Sequence, residues 1–168
     1  ILIRSGEILE VTHSIDTVVL DKTGTVTKGE PAVTEICPAG GTEEGLLTIA
    51  AAVESVSQHP LAAAIVQAAQ EKKLSTGKQP ENFELLPGRG LRAVLSGRTV
   101  LAGNRRLMEE SGVDISALSE KADALAGQGE TPKFFAADGA LLGLISVADP
   151  VKETSAAAIA ALRKQGLR

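Results

Sequence analysis

The sequence predicts an α/β chain in two parts. Helices on an antiparallel sheet form one α+β domain, inserted into a doubly wound, Rossmann-like domain that this stretch covers only in part. Three observations predict it. A short β-branched run, Ile15 to Leu20, leads directly into Asp21-Lys22-Thr23-Gly24-Thr25-Val26-Thr27, the order of a buried strand and the loop at its carboxyl end. Residues 44–72 carry apolar positions at helical spacing, whereas residues 83–102 and 133–147 alternate around turn pairs. A strand-plus-helix pattern follows at about 144–168. The expected divisions are therefore 1–29 and 144–168 for the outer domain and 30–143 for the inserted one. The flanks supply too few βα units to complete a parallel sheet.

The elements follow in order. Residues 1–11 begin on Ile1-Leu2-Ile3, as an excised segment would. After Gly29 and Pro31, Val33 to Ile36 reads as a strand, and Pro38 to Gly41 as a loop. Thr42 with Glu43 and Glu44 supplies an N-cap and an acidic first turn. The helix behind it, to about Ser57, sets Leu46, Leu47, Ala50 and Val53 on one face. Pro60 starts a second helix, to about Lys72, at the position that tolerates a missing N–H. A polar loop spans 75–82. Strands at 83–86 and 91–96 flank Pro87-Gly88-Arg89-Gly90, and Gly97-Arg98 reads as a Gly-first hairpin turn before Thr99 to Ala102. Asn104 caps a short helix through Glu110, and another runs from about Ser116 to Ala126. Asp138-Gly139 joins the strands 133–137 and 141–147. Asp149-Pro150 opens a last helix, Val151 to Gln165, closed by Gly166.

Composition narrows the function classes. Of 168 residues, 43% are hydrophobic and 23% charged, enough for a packed core. A net charge of -4 leaves no basic patch to neutralise nucleic-acid phosphates. Aromatic residues are 2%, which removes the stacking platforms of single-strand binders. A purine would therefore be met by polar groups and aliphatic walls, with an imidazole or Phe83. Cys37 is the only cysteine, so neither an intrachain disulfide nor a cysteine-based metal site can form, and a half-buried thiol is expected. No apolar segment approaches the roughly 20 residues that cross a bilayer, and no signal peptide is recognisable.

The chemistry lies in the loop after the first strand. Asp21 can act as a nucleophile toward phosphorus, Lys22 can screen charge on the transferring group, and Gly24 allows a tight turn that exposes N–H groups. Each residue alone is an ordinary turn former. The whole heptapeptide at the carboxyl end of a strand points to phosphoryl transfer.

This heptapeptide resembles the phosphorylation motif of P-type ATPases, ion pumps that form an aspartyl-phosphate. The resemblance places Asp21 at the phosphorylated position, with Lys22 and Thr23 beside it. It implies Mg²⁺ shared by the Asp21 carboxylate, the Thr23 carbonyl and a further carboxylate. Phosphatases of the same haloacid dehalogenase-type superfamily carry a second Asp, as general acid/base, where this chain has Thr23. A hydroxyl is a poor proton donor or acceptor near neutral pH, so the acyl-phosphate should persist.

Glu54-Ser55-Val56-Ser57-Gln58-His59-Pro60-Leu61 resembles the nucleotide-binding motif of the heavy-metal branch of that family. It implies Glu54 and His59 at adenine, although a helix-capping histidine is the ordinary alternative. Gly88-Arg89-Gly90 resembles the branch's glycine motif, against the alternative of a plain turn. Gly88 to Ala93 also satisfies a Gly-x-Gly-x-x-Ala pattern, but that fingerprint requires a helix behind it and here a strand follows. Gly103-Asn104 resembles a motif at the pocket edge, where Asn104 serves equally as a helix cap. Asp149-Pro150 resembles the family's hinge, where Asp149 organises the site near Asp21 or caps a helix. Lys152 meets phosphate or solvent. Arg89 and Lys78 lie near a triphosphate or are solvated surface charge.

The resemblance implies the ATP-binding and phosphorylation region of a heavy-metal exporter, with copper favoured by the overall wording. ATP and Mg²⁺ are the implied cofactors. The implied partners are an adenine nucleotide and the transmembrane and actuator domains of the same polypeptide, with no nucleic acid. The implied location is the cytoplasmic face of a membrane. The family's Thr-Gly-Asp and Gly-Asp-Gly motifs and its catalytic lysine are not in this sequence, so nucleotide binding with little turnover is expected. An exposed edge at strand 15–20 would invite domain-swapped self-association. Two rivals stay open: a free-standing phosphatase, which would need Asp at position 23, and a regulatory nucleotide-binding module.

Overall fold

Alternating apolar residues dictate the inner fold. The computed structural model describes residues 14–77 and 79–168; the readings for residues 1–11 and Lys78 lie outside them. It divides into two units, one of residues 14–30 with 150–168 and one of Pro31–Asp149. In the inner unit β1 (Ala32–Pro38), β2 (Glu81–Leu86), β3 (Gly90–Leu95), β4 (Arg98–Gly103), β5 (Thr131–Ala137) and β6 (Ala140–Ala148) form one sheet. The order is β1-β6-β5-β4-β3-β2, every neighbouring pair antiparallel. Period two sorts the central strands. Val100, Ala102, Phe135, Ala137, Ile145 and Val147 pack with α1 (Glu43–Glu54) and α2 (Pro60–Glu71). Leu101, Phe134, Ala136 and Leu144 pack on the other face with α3 (Arg105–Glu110) and α4 (Ser116–Gly127). Helices cover both faces, so the stretches 100–103, 134–137 and 140–145 of these strands are apolar throughout.

Local signals place most boundaries. Thr42 Oγ1 accepts from Gly45 N at 3.1 Å as the N-cap of α1. Asp138 and Gly139, at φ 48° and 81°, make the two-residue turn that joins β5 and β6. The turn expected at Gly97-Arg98 is centred instead on Ser96-Gly97, at φ 52° and 79°. Arg98 pairs with Leu95 in the ladder, and two positive-φ residues match the right-handed strand twist. The expected division at 143/144 falls inside β6. That strand pairs with β1 as far as Ala32↔Ala148, so the sheet carries the inner unit to Asp149.

The outer unit corrects two expectations. Residues 15–20 carry no regular strand and are not buried: Ile15 is 46% exposed, Val19 91% and Leu20 42%. Val18 N donates to Arg168 O and Arg168 N to Asp16 O, the pattern of a parallel pair. One paired residue cannot cover both faces of a run, so its side chains stay in solvent. The last helix, α5, spans Ser155–Lys164 and starts four residues later than Val151. Val151 is held in an antiparallel bridge to Thr27, and Lys28 N donates to Pro150 O at 2.8 Å. Asp149-Pro150 therefore does not open the helix; Thr154 stands at its N-cap. Among the described residues no helix is long and apolar enough to cross a membrane.

Candidate functional site

Asp21 sits exposed at the mouth of one wide turn, Lys22–Val26, with φ -64° and ψ 147°. Thr27, only 3% exposed, pins that turn. Its N–H donates to Lys22 O at 3.0 Å, its hydroxyl donates to the same oxygen at 3.0 Å, and that hydroxyl accepts from Gly24 N at 3.2 Å. The Gly24 N–H, expected to be open for phosphate, is thus spent inside the loop. The carbonyls are held from the other segment of the unit. Lys152 Nζ donates to Gly24 O at 2.6 Å, Lys152 N to Val26 O at 3.0 Å, and Ser155 Oγ to Val26 O at 2.7 Å. Lys152, for which the sequence left phosphate or solvent open, braces the loop. The side chains of Asp21, Lys22 and Thr23 are left at the surface. The Asp21 carboxylate and the Thr23 carbonyl are two oxygen donors, short of a full magnesium shell. Among the described residues no three His, Cys, Asp or Glu side chains gather as a metal site.

In the inner unit a cleft of about 390 Å³ brings together His59, Gly88, Gly90, Gly103 and Asn104. Its apolar wall is Leu61, Leu85 and Pro87. Phe83 is not on that wall. His59 is the N-cap of α2, where Nδ1 accepts from Leu61 N at 3.2 Å. The capping role and a place on the cleft therefore coincide in one ring, with Nε2 uncommitted to the cap. Arg89 N donates to Leu86 O at 3.0 Å across Pro87-Gly88, the type II arrangement in which the third residue needs positive φ. Gly88 supplies it at +69°, and a Cβ there would meet nothing within 4 Å.

Asn104 ties this turn down. Its Oδ1 accepts from Leu107 N at 3.1 Å as the cap of α3, while its Nδ2 donates to Gly88 O at 2.9 Å and its N–H to Arg89 O at 2.9 Å. Gly90 and Gly103 are needed for backbone approach: a Cβ on Gly90 would stand 2.1 Å from Ala102 O, and one on Gly103 2.3 Å from Arg89 O. The Arg89 guanidinium is committed to Glu110 at 2.8 Å. Arg89 and then Arg106, both bonded to that carboxylate, hold it below the usual range.

Glu54 is the exception among the expected pocket residues. It is fully buried and lines, in place of the cleft, a depression along α1 and α2 with Ser57 and Gln67. Its Oε1 is in ion-pair contact with Lys133 Nζ, yet among the described residues neither carboxylate oxygen has an aligned hydrogen bond. Lys133 does line the cleft, and sequence reasoning missed it. The available signal was a lone cation heading the apolar run Phe134 to Ala137. Thr27 and Ser155 were missed as well; a hydroxyl within a turn motif does not announce which carbonyl it will meet. Asp149 is half-buried, directly follows β6 and is the last residue of the inner unit.

Known proteins resemble this chain over its whole length. The haloacid dehalogenase-like hydrolase family matches residues 15–168. A copper-transporting P-type ATPase of Rhizobium leguminosarum bv. viciae is 44% identical over the whole of this chain and 20% of its own length. The chain thus spans about a fifth of the curated relatives that it matches. A zinc-transporting P-type ATPase structure in its E2.Pi state superposes with a TM-score of 0.78 and 35% identity, over 92% of this chain and 25% of that one. The N-domain of a copper-transporting P-type ATPase superposes with a TM-score of 0.59 and 28% identity, over 71% of this chain and 99% of that one. With the match running from the residues before Asp21 to the last helix and beyond, the chain belongs to the haloacid dehalogenase-like hydrolase family.

Proposed function

We propose that the inner unit binds adenine nucleotides in the His59 cleft and that Asp21 accepts the γ-phosphate. The chain is then the ATP-binding and phosphorylation region of a copper-exporting P-type ATPase. The observation that carries this reading is the convergence of His59, Gly88, Gly90, Gly103 and Asn104, from three separate stretches of sequence, on one cleft with an aliphatic wall. Similarity to a copper-transporting relative over the whole chain supports the choice of pump and of ion.

Each residue has a part in the proposed reaction. The purine lies against Leu61, Leu85 and Pro87, with the His59 ring on its face and Nε2 available as a polar contact. The Gly88 turn, held by Asn104, offers the ribose and phosphates a surface without a side chain. A carboxylate oxygen of Asp21 attacks the γ-phosphorus in line. The bond from phosphorus to the bridging oxygen breaks, and ADP leaves with that electron pair. Lys22 offsets charge on the transferring group. Thr23 supplies no general base, so the aspartyl-phosphate outlives its formation. Mg²⁺, when bound, neutralises phosphate charge; the Asp21 carboxylate and Thr23 carbonyl are the groups of this chain that would hold it. Residues 14–30 and 150–168 belong to the phosphorylation domain, Pro31–Asp149 is the nucleotide-binding domain, and Asp149 is the hinge between them. The transmembrane and actuator domains of a membrane pump are the partners, with this region on the cytoplasmic side. The exposed apolar side chains around Val19 are the surface through which isolated copies would pair.

Titrating ATP while following backbone amide signals tests the reading. Shifts should concentrate at residues 57–61, 86–91 and 103–104, and His59→Ala and Gly88→Asp should each weaken affinity at least ~tenfold. Unchanged affinity in both variants refutes the pocket. Acid-stable trapping of phosphate on the full-length protein, abolished in Asp21→Asn, tests the nucleophile. Steady phosphate release without a trapped intermediate would favour a phosphatase.

A further inference from the structure

Lys133 opens β5 ahead of the buried Phe134 to Ala137, and its side chain is only 18% exposed. It forms part of the cleft wall, and its ammonium contacts Glu54 Oε1. Glu54 is fully buried, and among the described residues neither of its oxygens receives an aligned hydrogen bond. Burying a carboxylate in that condition is costly, because a nearby cation compensates charge without filling the oxygen lone pairs. Lone pairs left over beyond the Lys133 pair are acceptor sites that a ligand amino group can fill. Lys133 links that carboxylate to the cleft in which His59 and Gly88 stand.

We propose that Lys133 is a positioning residue for purine recognition, holding the buried Glu54 carboxylate ready to accept from the exocyclic amino group of the base. The inference rests on the nucleotide-binding reading above. Lys133 acts through Glu54 and at the purine end of the ligand; it makes no phosphate contact. A cation chosen for phosphate would be expected free in the cleft. This one is already engaged with a carboxylate that sits below the surface.

A double-mutant cycle on the full chain tests it, with ATP and free adenosine as probes. Lys133→Met and Glu54→Met should each weaken ATP binding about tenfold, and the double variant no more than either alone. Adenosine should lose the same factor as ATP. Lys133→Arg should recover affinity to within about threefold, since a guanidinium also pairs with a carboxylate. Should a single variant fail to fold around its unpaired charge, the double variant removes both charges at similar volume. Its tenfold loss is then the decisive reading. Additive losses of about a hundredfold, a loss confined to ATP, or no loss overturn the proposal. An unsubstituted chain that binds neither ATP nor adenosine overturns the nucleotide reading and this one with it. Binding that the variants leave unchanged overturns only the role of Lys133.

Discussion

Replacing Gly90 by alanine should break the backbone under the cleft, whereas the same change at Gly88 should leave the fold intact. Gly90 has φ +147°, and a Cβ there would lie 2.1 Å from Ala102 O and 2.5 Å from Gly103 Cα. Ordinary contact begins at 3.4 Å, so β3 and β4 would have to part by about 1.3 Å, and both obstacles are main chain. Overpacking of this kind costs about 1–3 kcal/mol, and a non-glycine residue at such a φ a further ~1–3 kcal/mol. The sum, about 2–6 kcal/mol, is a large share of a typical domain's ~5–15 kcal/mol. At Gly88 the methyl meets nothing within 4 Å, and the cost is the ~1–2 kcal/mol of a left-handed residue. Urea unfolding of the chain reads the difference. With a slope near ~2 kcal/mol per molar, Gly90→Ala should lower the midpoint by about 1–3 M and Gly88→Ala by less than about 1 M. Equal midpoints in the two variants would show that the close approach of β3 to β4 is not what the glycine is there for.

Three further outcomes are expected. His59→Ser keeps a capping oxygen at the start of α2 but removes the ring. Stability should stay within about 0.5 kcal/mol while ATP affinity drops about tenfold; a variant that binds normally would leave His59 as a cap alone. Asn104→Ala loses both a helix cap and the tie to Gly88 O, together about 1–2 kcal/mol by thermal unfolding. Asn104→Asp retains the cap and should recover roughly half of that; full recovery would show that the tie carries no weight. Asp138→Asn tests electrostatics without altering the turn, because Asn-Gly suits it equally. The Arg98 guanidinium, and then the Thr99 N–H, hold the Asp138 carboxyl below its usual range. A depressed carboxyl stabilises the fold above its unfolded value, and that contribution is lost as pH falls through the folded value. The wild type should therefore be the more stable at pH ~7 and approach the variant by pH ~3. A gap in urea midpoint that persists at low pH would contradict the assignment.

Several features were legible because they depend on neighbours in sequence. Thr42, His59 and Asn104 cap helices through bonds to residues two or three positions on, and Asp138-Gly139 turns a hairpin by its own backbone preference. The candidate cleft was legible for the same reason in five of its six expected residues, each carried in a short motif. Glu54 stands in one of those motifs, but its burial and its Lys133 contact depend on β5, which lies far along the chain. The segment 15–20 has strand-like composition, yet its state is decided by what lies beside it, and Arg168 alone does not suffice to bury it. The start of α5 was misplaced because Pro150 to Lys152 are used by Val26 to Lys28 in place of the helix.

By itself the sequence determined which residues can do chemistry and which stretches turn, alternate or coil, since hydroxyl caps, positive-φ turns and apolar periods act over a few residues. Only the tertiary structure decided that β6 runs on beside β1, that Gly90 must yield space to Ala102, that Lys152 braces the Asp21 loop, and that a buried carboxylate meets Lys133. Those contacts join distant positions whose pairing depends on which surfaces the assembled core leaves room for, and no local preference records that choice.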